Sequence, residues 1–461
     1  MSRRFRIVIS TLSTTVLLAS GLVLADGAAA ADGLKSKTDP ELSVTAGMRG
    51  TADLYRPDLQ SLGGGTARSL VPTAVANQRI TRKLPRRSTS PAIGRNYGVQ
   101  VVDIESGANV WSRKAKRSLL PASNMKIATA VTALHTMGPE KRFTTKVVSL
   151  GQGKVAVVGG GDATLSRRGL TKLAKRTATA LRAAPELLSN SKLKVYVDDS
   201  YYPAPSRPRG YRSGYEPGVV RPVRALGMDG SYVWDSSKTA ADYFRSVLLR
   251  KGLASKYKGH ASGAGGQELA TYSGARLADQ VRYMLQVSEN NIAEMLYRNV
   301  AIARGYRATW RKSRKAATQI LTEMGVPMRS TYLSSGSGVS RTDRLTPRAL
   351  VAMLQRVADK DSYPDLESIY YGGGLPLAGV SGTLSAQTGR FNTRPTNCAA
   401  GRLRAKTGTL FDTIGLSGIA TGSDGKLKAF AVLVNSRPQR VSPLQTRRKV
   451  DRIPATITGC Y

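Results

Sequence analysis

Arg404-Ala405-Lys406-Thr407-Gly408-Thr409-Leu410 decides how this chain is read, together with two apolar runs behind it at 416–420 and 427–434. Residues 402–409 read as a strand, and the runs form a hairpin around Ser423-Asp424-Gly425. Such a strand turns Lys406 toward a pocket as a fixed positive charge. The hydroxyls of Thr407 and Thr409 can hydrogen-bond a terminal carboxylate. Gly408 lets a ligand backbone come close, so that the ligand adds as an extra strand. The same residues also fit an exposed edge strand guarded by its lysine.

Two further clusters lie upstream. Ser288-Glu289-Asn290 falls between helical turns marked by Leu277, Val281, Leu285, Ile292 and Leu296. A hydroxyl there can relay a proton, and an Asn side chain can hold an amine and a substrate amide at once. It is equally an ordinary inter-helix turn. Ser123-Asn124-Met125-Lys126 opens a helix in which Ile127, Val131 and Leu134 recur at helical spacing. Ser123 and Lys126 then share one face, one turn apart. A serine hydroxyl needs a neighbour to take its proton, and a desolvated lysine can act as that base. The bland alternative is an N-capping serine beside a solvated lysine. Ser191/Lys194 and Ser255/Lys258 match the same spacing without an apolar helix behind them.

The rest of the chain arranges itself around these clusters. Residues 98–103 and 109–111 read as a strand pair leading into the Ser123 helix. From about 141 to 275 no cluster occurs; strands at 145–148, 154–158 and 194–197, a loop at 201–218 and an amphipathic helix at 241–253 suggest an inserted, largely β region. Residues 91–140 and 276–461 make up the discontinuous main domain, closed by a short helix at 444–453. Residues 32–90 read as a mobile leader rich in small and basic residues.

Arg3, Arg4 and Arg6, the apolar stretch 7–24 and the alanines at 28–31 read as a secretory signal peptide over residues 1–31, with a retained anchor as the alternative. Export makes nucleic acid a poor partner for the net charge of +40. An anionic cell-wall polymer suits it better, and scattered solvated Arg and Lys suit it equally well. The two cysteines, Cys398 and Cys460, suggest one disulfide in an exported chain. No metal-ligand spacing occurs and no cofactor is implied. The two histidines, His135 and His260, have no acidic partner suggested by the sequence, which leaves a Ser-His-Asp arrangement without parts.

The ordered set S-x-x-K, S-x-N and K-T-G resembles the penicillin-recognising serine acyltransferases. With 165 residues between Ser123 and Ser288 and 118 between Ser288 and Lys406, the chain looks like the low-molecular-mass, class C penicillin-binding proteins of the D-Ala-D-Ala carboxypeptidase type, peptidase family S13. Gly159-Gly160-Gly161-Asp162-Ala163-Thr164-Leu165, Gly336-Ser337-Gly338-Val339-Ser340-Arg341 and Leu375-Pro376-Leu377-Ala378-Gly379-Val380 share the likeness, over roughly residues 90 to 460. Ser335 stands where the family usually has Asp, and Glu289 where it has Asp or Asn. The resemblance implies an α/β (α+β) transpeptidase-like domain, an antiparallel sheet flanked by helices. It implies Ser123 as acylated nucleophile, Lys126 as base and Ser288 as relay. Asn290, Lys406, Thr407, Gly408 and Thr409 would bind substrate, with the N–H groups of Ser123 and Thr409 as the oxyanion hole. It implies peptidoglycan stem peptides as substrate, β-lactams as inhibitors, a cell-wall location, and endopeptidase cutting of cross-links as a companion activity. A β-lactamase and a non-catalytic wall-binding protein are the rival readings.

Overall fold

The alternation of apolar and small residues in the strands, and the wider apolar stripes in the helices, produce two sheets with separate cores. The computed structural model describes residues 70–461. In chain order the first part comprises helix α1 (Thr73–Ser88), strands β1 (Tyr97–Asp103) and β2 (Asn109–Arg113), and helix α2 (Met125–Met137). Next come β3 (Thr144–Gly151), β4 (Lys154–Gly159), α3 (Arg167–Ala183), β5 (Leu193–Asp198), α4 (Ser236–Arg250), β6 (Ser255–His260) and β7 (Gln267–Ser273). Then follow α5 (Leu277–Val287), α6 (Asn290–Ala303), α7 (Trp310–Glu323), α8 (Pro347–Ala358), β8 (Leu403–Leu410), β9 (Thr413–Thr421), β10 (Leu427–Val434) and α9 (Pro443–Ile457).

The first sheet has the order β2-β1-β10-β9-β8, antiparallel throughout. β10 is buried on both faces, which is why it reads as an unbroken apolar run. Ala429, Ala431 and Leu433 face a core shared with Val131 and Leu134 of α2 and Leu350 and Leu354 of α8. Phe430, Val432 and Val434 face the opposite core, with Ile80 and Leu84 of α1 and Ile453 and Ile457 of α9.

α1 corrects the expectation of a mobile leader reaching residue 90. Ala76, Ile80, Leu84 and Ser88 recur every fourth residue, are buried, and pack α1 against α9. Only two of the four are strongly apolar, and the intervening Arg, Lys and Thr hide the period. The signal peptide over 1–31 and the remainder of the leader lie outside the described residues.

The second sheet, order β6-β5-β4-β3-β7, comes from the block between α2 and α5. β4–β5 and β5–β6 are parallel pairs. Parallel neighbours need crossovers, and α3 and α4 supply them. α4 overlaps the helix read at 241–253 but starts five residues earlier and ends three earlier, whereas α3 adds to the strands expected there. Its stripe Leu170, Leu173, Ala174, Ala178 and Leu181 is interleaved with basic residues, and Ser166 caps it.

Cys398 and Cys460 form a disulfide with a Cα–Cα distance of 6.0 Å, joining the end of the chain to the segment before β8. Arg390 and Asp451, both buried, link the same two segments, with Arg390 Nε donating to Asp451 Oδ2 at 2.8 Å. Cys460→Ser is expected to cost up to about 4 kcal/mol of unfolding free energy in the chain-entropy account. Denaturant unfolding of the two proteins checks it, with an unchanged midpoint counting against the tie.

Candidate active site

Ser123 sits in a short turn, Ala122–Asn124, that feeds directly into α2. Ala122 has a φ of 46°, a left-handed value costly for a residue with a Cβ. The loop at 335–340 presses on this turn: a Cβ on Gly338 would stand 1.9 Å from the Ala122 carbonyl oxygen. On the other side, a Cβ on Gly408 of β8 would meet the Pro121 carbonyl oxygen at 2.8 Å. The glycines at 338 and 408 let two chain segments clamp the turn that carries the hydroxyl.

Lys126 Nζ lies 3.0 Å from Ser123 Oγ, 2.8 Å from Asn290 Oδ1 and 3.1 Å from the Ser337 carbonyl oxygen. Its side chain is fully buried. Burial pushes the ammonium down to about 8, while the carboxylates of Glu289 and Glu294 act in the opposite direction. Three partners suit both protonation states. The cation donates to all three. The neutral amine donates to the two carbonyl-type oxygens and offers its lone pair to the Ser123 hydroxyl.

Ser288 ends α5 with a φ of 62°, and Glu289 caps α6 by accepting from Ile292 N at 2.6 Å. This turn delivers Asn290, whose Nδ2 donates to the Val219 carbonyl at 2.8 Å while its Oδ1 meets Lys126. The second block thus holds the amide that holds the amine. The Ser288 hydroxyl is hydrogen-bonded to neither Lys126 nor Lys406.

β8 is the edge of the first sheet. Ala405 N donates to Pro376 O and Ala378 N to Leu403 O, so the 376–378 segment covers the first half of its outer side. Lys406 is fully buried; its Nζ donates to the Thr407 carbonyl at 3.0 Å. Burial first, then the charges of Lys126 and Arg390, hold it well below the ordinary lysine range. The Thr407 hydroxyl donates to Thr383 Oγ1 at 2.8 Å, and Thr409 is exposed.

The structure therefore brings Ser123, Lys126 and Asn290 into direct contact. It sets Gly408 against the Ser123 turn, and the charge of Lys126 bears on Lys406. The sequence reading missed Ser337, whose carbonyl caps Lys126, Glu294, which holds the Ser337 amide at 3.0 Å, and Thr383. The signs available were the family-like stretch 336–341, read without a role for Ser337, and a glutamate in an otherwise apolar stretch of α6. The histidines need a correction: His135 pairs with Asp365 at 2.8 Å and His260 with Asp199 at 3.2 Å. His135 lies three turns along α2 from Ser123, and His260 ends a strand of the second sheet.

The fold is similar to that of penicillin-binding protein 4 from Haemophilus influenzae, with a TM-score of 0.66 at 19% identity, covering 84% of this chain and 98% of that one. Residues 80–234 and 229–457 match the D-Ala-D-Ala carboxypeptidase 3 (S13) family, and the chain belongs to that family. It is 30% identical over 412 residues to a carboxypeptidase of Mycobacterium tuberculosis, covering 85% of this chain and 87% of that one. It is 26% identical over 439 residues to a D-alanyl-D-alanine carboxypeptidase of an Actinomadura species, covering 75% and 79%.

Lys126 is expected to lose its proton near pH 8, not at the ordinary 10.5. An NMR titration of the lysine ε-methylene shifts, assigned with Lys126→Arg, reads the midpoint directly. A midpoint at the ordinary value would mean that water reaches the amine.

Proposed function

We propose that this chain is an exported serine-type D-alanyl-D-alanine carboxypeptidase acting on peptidoglycan stem peptides through an acyl-enzyme on Ser123, and that β-lactams acylate the same hydroxyl. The observation that carries this is a desolvated amine 3.0 Å from a serine hydroxyl at a helix start. Neutral Lys126 takes the Ser123 proton as Oγ attacks the carbonyl of the penultimate D-Ala. The C–N bond of the tetrahedral adduct breaks, the ester forms, and the leaving amine of the terminal D-Ala receives a proton, with Ser288 as the relay. Water then hydrolyses the ester and restores the hydroxyl.

Preorganised N–H donors stabilise the oxyanion of such adducts; Ser123 and Thr409 would supply them here. Lys406 with the hydroxyls of Thr407 and Thr409 would receive the terminal carboxylate. A carboxylate arriving there favours the ammonium form of Lys406, which burial opposes. Peptide cross-links present the same D-Ala carbonyl, so endopeptidase action uses the same groups.

A β-lactamase needs a group that activates the deacylating water. The two carboxylates that bear on Lys126 are both engaged. Glu289 accepts from Ile292 N and the Tyr232 hydroxyl, and Glu294 from Gly336 N, Ser337 N and the Tyr211 hydroxyl. Their engagement supports a slow acyl-enzyme with penicillin over β-lactamase turnover. Arg3, Arg4 and Arg6, the apolar stretch 7–24 and the alanines at 28–31 support export, and the charge of +40 supports attraction to anionic wall polymers. Among the described residues no helix is long and apolar enough to cross a membrane.

Labelled penicillin and a D-Ala-D-Ala-terminated stem peptide test the reading. Wild-type protein should be labelled and should release D-Ala, with a rate that rises with pH through about 8. Ser123→Ala should abolish both signals. Full labelling of Ser123→Ala would remove the nucleophile, and rapid turnover of penicillin would make the chain a β-lactamase.

A further inference from the structure

Glu294 belongs to none of the three motifs, yet it is fully buried one turn beyond Asn290 on α6. Its Oε2 accepts from Gly336 N at 2.8 Å and its Oε1 from Ser337 N at 3.0 Å. A third bond comes from the Tyr211 hydroxyl at 2.8 Å. All three are donated to its two oxygens, the pattern of a carboxylate. The carbonyls of the same two residues are taken as well: Thr129 Oγ1 of α2 donates to Gly336 O at 2.7 Å, and Lys126 Nζ to Ser337 O. Every backbone hydrogen-bonding group of Gly336 and Ser337 is thus occupied, and half of them by one side chain.

Tyr211 arrives from the 201–218 loop between β5 and α4. Its neighbours clamp the same stretch. Arg341 N donates to Gly210 O at 2.9 Å, and the Ser334 hydroxyl donates to Arg209 O at 2.8 Å. The loop of the second block therefore grips the stretch that carries the Ser337 carbonyl.

We propose that Glu294 is a positioning residue for acylation, holding the Ser337 carbonyl against Lys126, and that Tyr211 holds Glu294 in that pose. This rests on the reading of Lys126 as the base of Ser123. The charged and titratable groups around the pair are Glu289 at the cap of α6, Arg298 one turn beyond Glu294, Lys406 from β8, Asp343 from the loop after Ser337, and Tyr211 and Tyr297. The negative charge of Glu294 favours the Lys126 ammonium. An amide at this position therefore lowers the proton affinity of Lys126, and it also turns an NH₂ toward a backbone N–H.

The test is the second-order rate of acylation of the full chain by labelled penicillin, over roughly pH 6 to 10, beside thermal melts. Glu294→Gln should lower the plateau about 10²-fold, the scale of a small misplacement near reacting atoms. It should also move the rising limb to lower pH. Glu294→Asp, which keeps the charge, should restore the limb but not the full plateau. Tyr211→Phe should slow acylation roughly tenfold, the scale of one lost bond to a charged group, with a melting temperature close to wild type. A Glu294→Gln protein within twofold of wild type at all pH values would overturn the proposal. So would a loss that tracks the melting temperature with no movement of the limb. Where Glu294→Gln fails to fold, Tyr211→Phe decides, and an unchanged rate there is the negative result. Failure of the underlying reading looks different, because wild-type protein then goes unlabelled or Ser123→Ala is still labelled.

Discussion

The burial of one amine organises this molecule. Lys126 sits in a helix packed on all sides, and an amine without water costs free energy unless each of its bonds finds a partner. Those partners come from three places: the turn that opens its own helix, the start of α6 and the loop after residue 334; the second block holds the Asn290 side chain in turn, through the Val219 carbonyl. The chain has to bring widely separated stretches together before the amine is satisfied. Hydroxyl, amine and amide are therefore set in place by folding, before any ligand arrives.

The two sheets divide the labour. The antiparallel sheet carries cores on both faces, so α2 stands on one face while α1 and α9 brace the other. The mixed sheet reaches the site through loops and adds no strand to it. Its contributions are the Val219 carbonyl under Asn290, the Tyr232 phenol on Glu289 and the Tyr211 phenol on Glu294. Each touches a residue that bears on Lys126, at one remove from the hydroxyl. Such second-rank contacts fix orientation while the reacting groups remain unchanged.

Much of this was legible in the sequence, and the remainder was hidden for identifiable reasons. Ser123, Lys126 and Asn290 could be named because short spacings and helical period place them. The β9–β10 hairpin could be named because burial on both faces leaves an unbroken apolar run. α1 was lost because only Ile80 and Leu84 mark its inner stripe, and α3 because basic residues alternate with its apolar ones. Glu294 and Ser337 escaped because their roles consist of backbone hydrogen bonds across about forty residues, which no local pattern encodes. The acidic partners of His135 and His260 are equally non-local. Ser288 was legible as a turn residue, but the rotation of its hydroxyl is decided by packing.

The half-covered side of β8 has a geometric corollary. The 376–378 segment occupies the outer margin of the strand up to Ala405 and ends there, and Thr409 further along is exposed. An extended peptide docking there has only a few residues of main chain to pair with, and then meets a wall. The groove is thus a blind alley: it accommodates a chain terminus more easily than the middle of a polymer.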